Sequence, residues 1–131
     1  MKEQKIEIFE IGIERLSGES FYAYNDKQSL YTQRAGVGSL FSETLNATIP
    51  TPDWSSFFSV MEPFHLWTLE KEYGSTLVAT LWWHVNIKTT QNEVVSCGIN
   101  IFPDFKTIDE SSFFYSLKKA IHLLVGQDVL K

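Results

Sequence analysis

Apolar and polar residues alternate with period two over residues 77–87. Leu77, Ala79, Leu81, Trp83, Val85 and Ile87 take the odd positions; Val78, Thr80, Trp82, His84 and Asn86 take the even ones. Alternation of β-branched and aromatic residues marks a strand with one buried face. Residues 93–101 repeat the pattern, with Val95, Cys97, Ile99 and Ile101 odd and Val94, Ser96, Gly98 and Asn100 even. The short polar stretch between them, 88–92, predicts a hairpin. Facing residues of an antiparallel pair lie on one face. If both odd sets are buried, the tightest loop is centred on Thr90. That loop sets Val85 opposite Val95, Trp83 opposite Cys97 and Leu81 opposite Ile99. It also sets His84 opposite Ser96 and Trp82 opposite Gly98, where an indole can cover the bare strand backbone.

Downstream the period lengthens to three and four. Phe113, Leu117, Ala120, Ile121 and Leu124 form one stripe, with Lys118 and Lys119 off it, which predicts a helix over residues 109–125. Asp109 is the expected cap and Ile108 with Phe113 the expected staple. Gly126 suits the stop. The helix is expected across the odd face of the hairpin, since a lone hairpin is marginal in water.

The rest of the chain reads more weakly. Residues 5–13 predict a first strand with a bulge near Phe9 or Gly12, because four glutamates on one helical face would repel. Residues 21–24 and 29–33 predict two short strands around a turn at Asn25, Asp26 and Lys27. Tyr22, Tyr24 and Tyr31 are expected there as half-buried strand residues. Residues 40–49 fit strand or helix. Thr51, Pro52 and Asp53 form a helix start, with Thr51 as cap, and Pro63 ends that helix. Residues 64–72 predict another strand. The expected fold is a single α+β domain over 1–131: an antiparallel sheet of about five strands with both helices on one face.

Composition narrows the function classes. The chain has 131 residues, enough for one real core. Its net charge of −5 argues against a nucleic-acid partner, which needs a basic face. No apolar run approaches the ~20 residues of a membrane helix, and the charged start lacks the core of a signal peptide. One cysteine excludes an internal disulfide and fits a reducing cytoplasm. Aromatic residues make up 15%. Such a load either fills a Phe-rich core or leaves rings on a binding surface.

Candidate chemistry is sparse. His65, His84 and His122 lack partners at metal-ligand spacing, so neither metal nor cofactor is expected. The glycines between Ala35 and Ser39 lack the lysine and spacing of a phosphate loop. Cys97 with His84 is the one nucleophile–base pairing to consider. Parity turns Cys97 into the core and His84 away from it, so Cys97 is expected buried and unreactive. What remains is the even face, with Trp82, His84, Ser96 and Asn100 as candidate binding residues.

The run Gly98-Ile99-Asn100-Ile101-Phe102-Pro103-Asp104-Phe105 follows a Trp-bearing strand and precedes an amphipathic helix. Over the last third of the chain this resembles an arrangement in small bacterial α+β proteins, including some immunity proteins of toxin systems. The resemblance implies a cytoplasmic acidic protein that binds a protein partner and catalyses nothing; it carries over no functional residue. Two rival functions stand beside it: a small-molecule-binding domain with an aromatic pocket between sheet and helix, and an enzyme whose site is assembled from scattered residues.

Overall fold

The computed structural model describes residues 5–16, 18, 20–35, 46–50, 52–74, 80–105 and 112–125. Among these, seven strands form one mixed sheet: β1 (Ile6–Arg15), β2 (Ser20–Asp26), β3 (Ser29–Ala35), β4 (Asn46–Ile49), β5 (Glu72–Tyr73), β6 (Leu81–Thr89) and β7 (Glu93–Ile99). Two α-helices accompany them, α1 (Trp54–Met61) and α2 (Ser112–Val125). The strand order is β4-β3-β2-β1-β6-β7-β5. Every pairing is antiparallel except that of β5 with β7, so the expected five-stranded antiparallel sheet is an α+β fold with a larger, mixed sheet.

The core lies on one face. Phe9, Ile11 and Ile13 of β1, Phe21 and Ala23 of β2, and Leu81, Trp83, Val85 and Ile87 of β6 are all buried. The helices cover that face: Phe57 of α1 meets Phe9 edge-on at 5.1 Å, and Phe113 of α2 lies 5.6 Å from Trp83. The odd positions of β6 therefore point inward and α2 packs on them, as the alternation predicts. Residues 75–79, the first part of the expected strand, lie outside the described residues.

The register of the hairpin differs from the parity expectation by one residue. Val85 faces Ser96, Trp83 faces Gly98, His84 faces Cys97 and Trp82 faces Ile99. A slip of one residue reverses the faces of a whole strand. Val94, Ser96 and Gly98 are buried, while Val95 and Cys97 are exposed. Two local causes are visible. At the turn, Thr89 Oγ1 accepts from the amides of Gln91 and Asn92 at 3.2 and 3.0 Å, and the Thr89 amide donates to Asn92 O at 2.8 Å. This closes a loop around Thr90 and Gln91 that is one residue longer than expected. At the other end, a Cβ on Gly98 would fall inside the Trp83 indole. The aromatic that covers the glycine is thus Trp83, on the core side, and not Trp82. The inward hydroxyl of Ser96 is satisfied by donating to Glu70 O at 2.6 Å.

Other expectations shift for equally local reasons. β1 carries its irregularity between Ile6 and Ile8, nearer the start than Phe9 or Gly12. The β2–β3 turn tightens to Lys27 and Gln28, with Lys27 at φ 55°. The segment expected as a strand over 64–72 is instead two 3₁₀ turns, Glu62–Phe64 and Leu66–Thr68, leading to the two-residue β5. His65 separates the turns in the left-handed region, at φ 51°. Of the ambiguous stretch, Asn46–Ile49 is strand and pairs with β3; residues 36–45 lie outside the described residues, as do Asp109 and Gly126. The described part of α2 begins at Ser112, and its opening amides, Ser112 and Phe113, donate to Asp104 Oδ2 at 2.9 and 3.2 Å. An acidic group from the preceding loop thus serves the positive end of the helix.

α1 starts two residues later than its proline suggests. Asp53 is the cap, accepting from the Ser56 amide at 3.1 Å. Hydrogen bonds from the Ser56 hydroxyl first, and then the Ser56 amide, hold the Asp53 carboxyl below its ordinary value. The folded state therefore favours ionised Asp53. That contribution is complete above the unfolded value of 3.8 and is lost as pH falls through the lower folded value.

Two outcomes are expected. Gly98→Ala should lower stability by about 1–3 kcal/mol in urea denaturation, since the added methyl overpacks against an indole fixed on all sides. Ser56→Ala should move the Asp53 titration up toward 3.8, measured by carboxyl NMR.

Candidate functional site

The face of the sheet opposite the helices carries the surface chemistry. Its residues run across the strands in rows. One row is Gln33, Tyr22, Gly12, His84, Cys97 and Glu72, from β3 to β5. The next toward the β2–β3 turn is Tyr31, Tyr24, Glu10, Asn86 and Val95. On the other side lie Ser20, Glu14, Trp82 and Ile99.

Of the four residues expected here, Trp82 and His84 are in place. Trp82 is half-buried and His84 exposed, two positions apart on β6 and on one face. Ser96 is not: the one-residue slip carries it to the core, where it is 1% exposed and bound to Glu70 O. Asn100 lies beyond the end of β7 at φ 59°. Its Oδ1 accepts from the Thr80 amide at 2.9 Å, the Thr80 hydroxyl at 3.0 Å and the Leu81 amide at 3.0 Å. Its own amide donates to Leu81 O at 3.0 Å. Asn100 closes the open end of the hairpin, which is a structural task, and all three acceptor contacts occupy the oxygen a ligand would use.

Residues not expected take the vacated places. Cys97 is exposed where Ser96 was expected, and Val95 is 54% exposed beside it. Tyr24 is 44% exposed and stacks on Tyr31 with centroids 5.6 Å apart. Tyr22 lies 6.4 Å from the His84 ring. The tyrosines were legible in the sequence: Phe21 and Ala23 alternate with Tyr22 and Tyr24, so burying the first pair turns the second outward. Cys97 and Val95 were not, because β7 has an apolar residue in both phases.

The slip also makes His84 and Cys97 cross-strand neighbours. They do not form a nucleophile–base pair. The His84 ring leans over β1 into the space a Cβ on Gly12 would occupy. The Cys97 thiol turns the other way, toward Lys71 O at 3.5 Å. The two side chains diverge across the sheet.

Electrostatically this face is acidic. Glu10, Glu14 and Glu72 stand in its rows, all exposed, and Glu93 pairs with Lys88 at the hairpin tip. Among the described residues no three His, Cys, Asp or Glu side chains gather as a metal site, and no helix is long and apolar enough to cross a membrane.

The expectation of a buried thiol is therefore reversed. Cys97 in the native protein should react with a disulfide reagent without prior unfolding. Cys97→Ala should alter stability by less than about 0.5 kcal/mol in denaturant titration.

No protein-family model, curated protein or solved structure matches the chain.

Proposed function

We propose that the protein is a non-enzymatic binding protein, and that the outer face of the sheet is its contact surface for a protein partner. The observation that supports this reading is the concentration of rings on a face the helices leave uncovered. Trp82, Tyr22, Tyr24 and Tyr31 stand there with His84 and Val95. Tyr and Trp are enriched at interface hot spots because they bring large apolar area together with a polar handle. The glutamates around them favour a partner with a basic surface, through electrostatic steering. An immunity-like role, binding and blocking a basic protein in a reducing cytoplasm, accommodates all of these features, including the free exposed thiol. The divergence of His84 and Cys97 weighs against the enzyme reading, since the nucleophile–base pairing considered from the sequence is not assembled.

Trp82 is the expected anchor. Its ring is half-buried, so part of it packs on the sheet and part remains for a partner. Trp82→Ala should weaken partner binding by at least about 2 kcal/mol, roughly thirtyfold, while the thermal midpoint falls only slightly. Affinity per folded molecule, measured by calorimetry on a partner recovered from the source cell, decides it. Unchanged affinity with lost stability would remove Trp82 and this face from the reading.

A further inference from the structure

A second surface lies at one end of the sheet, away from the outer face. A cavity of about 950 Å³ opens between α1, the two 3₁₀ turns and the start of β1. That is at the upper end of the range for small-molecule pockets. Part of its lining is aromatic. Trp54, Phe58 and Trp67 line it. Each is only partly buried, with one side packed on the core and surface left over toward the cavity. Trp54 is braced by Phe9 at 4.9 Å, and Phe58 and Trp67 brace each other at 5.5 Å.

The scaffold holding these rings is stiff. Gln28 clamps the start of β1, donating to Ile6 O at 2.8 Å and accepting from its amide at 3.4 Å. The His65 carbonyl receives both the amide and the hydroxyl of Thr68, at 2.8 and 2.9 Å, which fixes the turn that presents Trp67. His65 itself lines the cavity from a left-handed backbone conformation, which is uncommon for a residue with a side chain.

Among the described lining residues Glu62 carries an exposed carboxylate and Lys5 an ammonium, while the Asp53 carboxylate is taken up by Ser55 and Ser56 at the start of α1. The π-faces of indole and phenyl rings carry negative potential. Rings with a free carboxylate beside them form the kind of environment that selects an organic cation over a neutral or anionic molecule of the same shape.

We propose that this cleft is a binding site for a small organic cation, an aromatic or aliphatic group bearing an ammonium centre. The ammonium sits against the indole faces of Trp54 and Trp67 with Glu62 balancing its charge, and the apolar part of the ligand covers Phe58. The site is independent of the outer face, because Trp82 lies on the other side of the sheet.

The test uses two probes that share a phenyl ring and differ in charge, benzyltrimethylammonium and 3-phenylpropionate. Each is titrated into the full chain while the indole N–H signals of all four tryptophans are followed by NMR. The expected result is saturable shifting of the Trp54 and Trp67 signals by the cation, with the anion at least about tenfold weaker. Trp67→Leu should weaken the cation about tenfold and Glu62→Gln a few-fold, whereas Trp82→Ala should leave it unchanged. If Trp67→Leu does not fold, Glu62→Gln decides alone, since Glu62 is exposed. Equal affinity for the two probes, no saturation at tens of millimolar, or cation binding that is indifferent to Glu62→Gln would each overturn the proposal.

Discussion

The Trp83 indole over Gly98 sets the arrangement of the rest of the molecule. Trp83 is 2% exposed and touches rings on three sides. Phe102 stacks on it at 5.7 Å, Phe113 of α2 lies at 5.6 Å and Tyr73 of β5 at 5.9 Å. Its N–H, which would be costly to bury unpaired, donates to Ile101 O at 2.8 Å. One side chain thus joins the central hairpin, the C-terminal helix, the loop before it and the parallel edge strand. The indole needs a cross-strand neighbour without a side chain, and Gly98 is that neighbour.

The consequences spread along β7. Once Gly98 faces inward, Ser96 and Val94 must follow, and Val95 and Cys97 must turn out. The core tolerates Ser96 because the segment just before β5 comes close enough for Glu70 O to accept its hydroxyl. The same approach places the Lys71 carbonyl against the Cys97 amide at 2.9 Å. The residues between the second 3₁₀ turn and β5 therefore supply acceptors for polar groups of β7.

The composition of the outer face descends from this construction. The outer face has its composition because the register sends Cys97 and Val95 to join the rings of β2, β3 and β6. Gly12 leaves the His84 ring room to lie across β1. The cleft exists because Pro63 and the left-handed His65 break the chain after α1 into tight turns and swing Trp67 toward Phe58.

By itself the sequence determined the class and the main packing event. Leu81, Trp83, Val85 and Ile87 had to share a buried face, and the three- and four-residue stripe from Phe113 had to lie on it, because period and hydrophobicity agree there. The outward turn of Trp82 and His84 followed from the same parity. The facing strand carries Val94 and Val95 side by side, so hydrophobicity could not choose its phase. That choice depended on ring volume against Gly98 and on an acceptor for Ser96 from a segment 26 residues away. Nor could local pattern reveal that residues 64–72 are turns, since apolar residues there are buried singly rather than in alternation. Only the tertiary structure decided which residues accompany Trp82 on the surface, because that depends on contacts between segments distant in the chain.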